Sequence, residues 1–122
     1  MDKHLDTLNR TIELAETCLE GIEHMKKRLN EGYIEDTITL FKGIVEAYYH
    51  MEILLQALSA VLPANQLKEL TLALRHALEQ LTSAYENNEW NSIQEIIRFT
   101  LLPAYKKWKS EIAQAFSSYT YS

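Results

Sequence analysis

Four histidines, one cysteine and seventeen acidic side chains are the groups through which this chain can do chemistry. A dinuclear metal centre in a helical protein needs a carboxylate on each of two helices and Glu-x-x-His on each of two others, all pointing inward. No Glu-x-x-His occurs here. The nearest arrangements are Glu20 with His24 and Glu46 with His50, four apart, and His76 with Glu79 in reversed order. Glu46 and His76 fall away from the apolar positions of their segments and His50 falls at a boundary, so local helix-surface contacts are the expected role. Cys18 has Leu14 and Ile22 one turn away and no histidine within a turn, which suits a small buried apolar residue rather than an activated thiol. Gly21, Gly32 and Gly43 are isolated, so no glycine-rich phosphate loop forms, and no Gly-x-Ser-x-Gly elbow is present. The expectation is a protein that is not an enzyme, with no catalytic, cofactor-binding or metal-ligating residues.

The elements that would position any site follow from composition and punctuation. With 122 residues, 47% hydrophobic, three Gly and two Pro, the chain suits one helical domain rather than an all-β or disordered one. Breaks at Asn30-Glu31-Gly32-Tyr33, Leu62-Pro63-Ala64-Asn65 and Glu86-Asn87-Asn88-Glu89 leave four segments of similar length. Each carries an apolar stripe at three- and four-residue spacing, as in Leu5, Leu8, Ile12, Ala15, Leu19 and Ile22. The fold class predicted is all-α: a single antiparallel up-down four-helix bundle over residues 1–122, with helices near 3–30, 33–62, 65–86 and 90–117. Gly32 suits the left-handed position that ends a helix, and Asn65 suits the N-cap of the third. Gly43, at the edge of the second stripe, suits a close helix crossing. Pro103, inside the fourth segment, predicts a kink between Phe99 and Pro103, and the tail from Ser117 is expected to fray.

Two stretches echo each other. Asn30-Glu31-Gly32-Tyr33 resembles Asn87-Asn88-Glu89-Trp90, and Leu40, Ile44, Val45, Ala47 and Tyr48 answer Ile97, Leu101, Leu102, Ala104 and Tyr105, all 57 positions on. Leu14, Cys18, Ile22 and Met25 answer Leu70, Leu74, Leu78 and Leu81 at 56. Two similar helical hairpins packed together would produce this pattern.

Twelve basic against seventeen acidic residues give a net charge of −5, and the basic groups Lys26-Lys27-Arg28 and Lys106-Lys107-Trp108-Lys109 have acidic neighbours. Nucleic acid is therefore not an expected partner. No run approaches the roughly 18 apolar residues of a membrane span, the lone cysteine requires no oxidising compartment, and no secretory leader is visible. A cytoplasmic location is expected. Tyr33, Tyr48, Tyr85, Trp90, Tyr105 and Trp108 lie on or beside the core stripes and are expected to fill the bundle rather than line a cofactor pocket.

The informative residues lie off the stripes. Val45, Tyr49 and Ile53 occupy the polar back of the second helix, and Ile96, Phe99 and Leu102 do the same before Pro103. These six form the candidate partner-binding surface, because apolar residues clustered at helical spacing make patches. Leu29 to Leu58 resembles small bacterial helical proteins of unknown function, in which a helix closes on an Asn-Glu-Gly turn followed by an aromatic and a long amphipathic helix. More loosely, the layout resembles flagellar-export chaperones, small acidic bundles that hold a partner helix. That likeness implies an interaction role and assigns no residues. The function expected is a non-catalytic protein-interaction, adaptor or chaperone-like module that forms a homodimer or binds an amphipathic partner helix. A small-molecule- or metal-binding bundle with a sensing or redox role is the alternative.

Overall fold

The computed structural model of the chain describes residues 3–61 and 66–121. They form α1 (Lys3–Asn30), α2 (Ile34–Ala57), α3 (Leu67–Glu86), α4 (Trp90–Ile96) and α5 (Leu102–Tyr121). A π-helical turn, Ile97–Leu101, joins α4 and α5 into one fourth helix, and no strand occurs among the described residues. No described helix is long and apolar enough to cross a membrane. Paired contacts give the helix directions. Cys18 lies against the Ile44 carbonyl and Arg28 reaches Asp36, so α2 returns along α1. Thr37 meets Tyr85 and Tyr48 reaches Thr71, so α3 returns along α2. Gln94 reaches Leu29 and Tyr105 reaches Ala15, which sets the fourth helix against α1.

The stripes bury Ala15, Cys18, Ile22 and Met25 of α1 and Leu74, Leu78 and Leu81 of α3. Tyr33 and Trp90, expected to fill the bundle, are instead 52% and 40% exposed, because each stands at the turn that opens its helix. The close crossing, however, is at Gly21, where a Cβ would stand 3.4 Å from the Ile44 side chain; Gly43 faces open space. Helix α2 ends at Ala57, short of the expected residue 62. The amides just beyond it take partners three residues back, Leu58 to Leu55 and Ser59 to Gln56, the tightened turn common at a helix C-terminus. The expected Asn65 cap lies outside the described residues. The tail does not fray at Ser117: α5 continues through Tyr121, because Phe116 and Tyr119 pack against the core.

In the stretch before Pro103, where the sequence predicts a kink, the structure shows a π turn at Ile97–Leu101. Leu102 N–H donates to the Ile97 carbonyl, five residues back. The widened turn inserts one residue immediately before Pro103, the second residue of α5, so the ladder is already shifted to five-residue bonds where the proline lacks its N–H.

That single insertion explains the two spacings of the internal repeat. The turn after α1 places Gly32 at φ 88° and Tyr33 at φ −93°, ψ 64°; the turn after α3 places Asn88 at φ 56° and Glu89 at φ −90°, ψ 71°. Tyr33 N–H donates to Arg28 O and Glu89 N–H to Ala84 O, both at 2.9 Å. The turns therefore correspond 56 positions apart, with Gly32 matching Asn88, not at the 57 that residue type suggests. Buried Thr37 and Phe41 match buried Ile93 and Ile97, still at 56. Beyond the π turn, buried Ile44, Tyr48, Met51 and Leu55 match Leu101, Tyr105, Trp108 and Ile112 at 57. The inter-hairpin bonds are reciprocal as well: Tyr48 Oη donates to Thr71 O at 3.3 Å and its counterpart Tyr105 Oη to Ala15 O at 2.7 Å. The bundle is one hairpin used twice about an internal two-fold.

Burial raises the pKa of both phenols above the ordinary tyrosine value, reinforced by Glu52 beside Tyr48 and by Cys18 beside Tyr105. A raised folded-state value contributes stability that is complete below the unfolded-state value of about 10 and is lost as pH rises above it. Urea midpoints are therefore expected to fall above pH ~10. Tyr48→Phe and Tyr105→Phe together should flatten that fall. An unchanged slope in the double variant would refute it.

Candidate functional site

The internal two-fold is not obeyed everywhere. The backbones of α1 and α2, of α3 and the fourth helix, and of α1 and the fourth helix approach closely, whereas those of α2 and α3 do not. On the closed seam, Gln94 Nε2 donates to Leu29 O at 3.2 Å, Lys109 pairs with Glu16 at 2.5 Å and Lys106 with Glu23 at 3.9 Å. On the open seam the position equivalent to Gln94 is Ile38, which has no amide to reach across. Side chains bridge the gap instead: Thr37 Oγ1 and Tyr85 Oη at 2.7 Å, Tyr48 to Thr71, and an ion pair of Arg75 with Glu52. Glu52 Oε2 and Arg75 Nε are buried without a further partner.

Between these bridges lies a groove of about 490 Å³, open to solvent and lined by Ile38, Phe41, Lys42, Val45, Glu46, Thr82, Tyr85 and Glu86. Phe41 and Tyr85 stack at its base, with ring centroids 5.2 Å apart at 23°. Burial moves the Tyr85 phenol above its ordinary value, although the bond to Thr37 opposes the shift. The walls are apolar and the rim carries Lys42, Glu46 and Glu86. Apolar area left open to water in this way gains free energy when it is covered.

The six residues of the expected surface separate. Val45 lines the groove, half-buried, and Tyr49, 48% exposed, continues its line along α2. Ile53 is 64% exposed, further round the outer side of α2. Ile96 is partly buried against the core and Phe99 is 69% exposed. Leu102 is a correction: at 5% exposure it belongs to the core. The π turn advances the register by one residue, so both Leu101 and Leu102 turn inward, and Leu102 takes the place of Val45 on the seam that α1 closes. Tyr49 and Phe99 also sit on diagonal helices, so they do not form one patch.

Ile38, Phe41 and Tyr85 are the groove residues absent from the expected surface. Ile38, Val45 and Tyr49 recur seven and four residues apart, a signal present in the sequence. Phe41 and Tyr85 read as core there, and they are core whose outer edge is uncovered.

Of the groups with possible redox or metal chemistry, Cys18 is buried, with Sγ 3.9 Å from Ile44 O, and burial pushes its thiol up. His24, His50 and His76 are exposed, and among the described residues no three His, Cys, Asp or Glu gather as a metal would require.

Residues 6–111 match one family model, that of the domain of unknown function DUF8042. The chain belongs to that family. No curated protein and no solved structure matches it. In this DUF8042 chain, the matched region takes in both turns, the π turn and the whole groove.

Proposed function

We propose that this DUF8042 domain is a non-catalytic interaction module whose α2–α3 groove receives the apolar side of an amphipathic helix with basic flanks. The open seam carries the reading: α2 and α3 stand apart over stacked Phe41 and Tyr85, where the equivalent helices of the other seam are in contact. A helix laid in a groove buries apolar positions at three- and four-residue spacing, and the run of Ile38, Val45 and Tyr49 offers contacts at that pitch. Glu46 and Glu86 on the rim favour Lys or Arg on the incoming helix, and Lys42 sets its register. A buried, unpaired cysteine suits a reducing compartment, and the reading places the module in the cytoplasm.

A photo-crosslinking residue placed at Ile38, with Thr17 and Gln114 as exposed controls on other faces, tests it in the native host. The expected result is an adduct from position 38 alone, its peptide mapping to an amphipathic segment rich in Lys or Arg. Adducts of equal yield from the controls, or none from position 38, would overturn it.

A further inference from the structure

The closed seam carries a smaller cleft at the positions equivalent to the groove. This second cleft, of about 370 Å³, lies between α1 and the fourth helix: Gln94 stands for Ile38, Ile97 for Phe41 and Leu29 for Tyr85. The two differ in what they present. At the first, Glu46 and Glu86 outnumber Lys42. At the second, Lys26 and Arg98 outnumber Glu95. The second also carries Phe99, the most exposed large apolar side chain among the described residues, which the added residue of the π turn leaves in solvent. Its ring has the Arg98 guanidinium 5.7 Å from its centroid.

We propose that the occupant of the α2–α3 groove is the Arg98–Phe99 projection of a second copy of this chain. The proposal rests on the reading of that groove as a docking site and names its partner. The phenylalanine ring enters over the Phe41–Tyr85 stack, where an aromatic meets aromatic edges and faces. Arg98 comes beside Glu46 and Glu86, and Lys26 of the same copy adds to the attraction. The projection and the groove lie on opposite seams of the bundle, so a single pairing leaves one free projection and one free groove. The contact is therefore heterologous, and copies add head to tail into a ring or an open chain. This replaces the symmetric dimer that the sequence suggests, in which like surfaces would meet.

Sedimentation and light scattering of the full chain, from roughly 1 µM to 1 mM, test the proposal. The mass is expected to rise with concentration beyond that of a dimer. Phe99→Asp and Val45→Arg are each expected to weaken association about thirtyfold, the scale of a lost aromatic hot spot, with helical circular dichroism unchanged. Ile38→Arg serves as a second groove variant should Val45→Arg lose helix. Mixing the two variants in equal amounts decides the matter. One copy keeps its groove and the other its projection, so the mixture should form a heterodimer and stop there. A mixture that stays monomeric, or wild-type chain that stays monomeric throughout, overturns the proposal. Loss of association in the groove variant but not in Phe99→Asp also overturns it, yet leaves the groove reading standing with a different occupant. Loss in Phe99→Asp alone overturns it and removes self-association as support for the groove.

Discussion

Replacing Trp108 by alanine is expected to cost about 3–5 kcal/mol, the range for an aromatic side chain removed from a closed core. Trp108 has no exposed surface and lies between two other rings, Tyr105 at 5.4 Å and Tyr48 at 5.8 Å between centroids. Its indole Nε1 donates to Thr71 Oγ1 at 3.0 Å, and the carbonyl of the same Thr71 accepts from Tyr48 Oη. The tryptophan thus ties α5 to α3 at the point where α3 is also tied to α2. Its loss opens a cavity beside Tyr48 and Tyr105 and strips a hydrogen-bond donor from Thr71 Oγ1, loosening the attachment of α3 to α5. Against a total stability of roughly 5–15 kcal/mol for a domain, such a change brings the chain close to its unfolding midpoint. Urea titration followed by circular dichroism measures it. Trp108→Phe, which keeps much of the volume and loses only the indole bond, should cost about 1–2 kcal/mol. Equal midpoints for wild type and Trp108→Ala would show that the ring cluster does not hold the bundle.

The second large effect is a contrast three residues wide. Leu102→Ala is expected to cost about 2–5 kcal/mol, whereas Phe99→Ala should change stability by no more than about 0.5 kcal/mol. Leu102 is 5% exposed and Phe99 is 69% exposed. In a continuous α-helix, residues three apart share a face, and their substitutions would behave alike. The π turn at Ile97–Leu101 separates them by placing its extra residue between the two faces. Thermal melts of the two single variants suffice. Similar costs for both would mean that the helix is regular through this stretch, and the shift from 56 to 57 in the internal repeat would then lose its physical explanation.

The four helices, their stripes and the Gly32 turn were legible in the sequence because each depends on local chemistry. A three- and four-residue apolar rhythm sets the buried face of a helix, and an unsubstituted Cα permits the φ of 88° that ends one. The repeat was legible too, since Leu14, Cys18, Ile22 and Met25 have recognisable counterparts in α3. Only the backbone hydrogen bonds could say why its spacing changes. Residue types cannot distinguish an inserted residue in the π turn from one in the preceding loop, and the likeness of Tyr33 to Trp90 points to the wrong register.

The surface was legible only as a set of candidates. Val45, Leu102 and Phe99 are all apolar and all lie off the stripes, yet one lines a groove, one is core and one stands in solvent. Sequence determined that these side chains prefer burial. Tertiary structure decided which of them obtains it, because the covering atoms belong to another helix whose distance is set elsewhere: Gln94 reaches Leu29 on one seam, whereas on the other α2 and α3 meet only through long side chains such as Thr37 with Tyr85 and Tyr48 with Thr71.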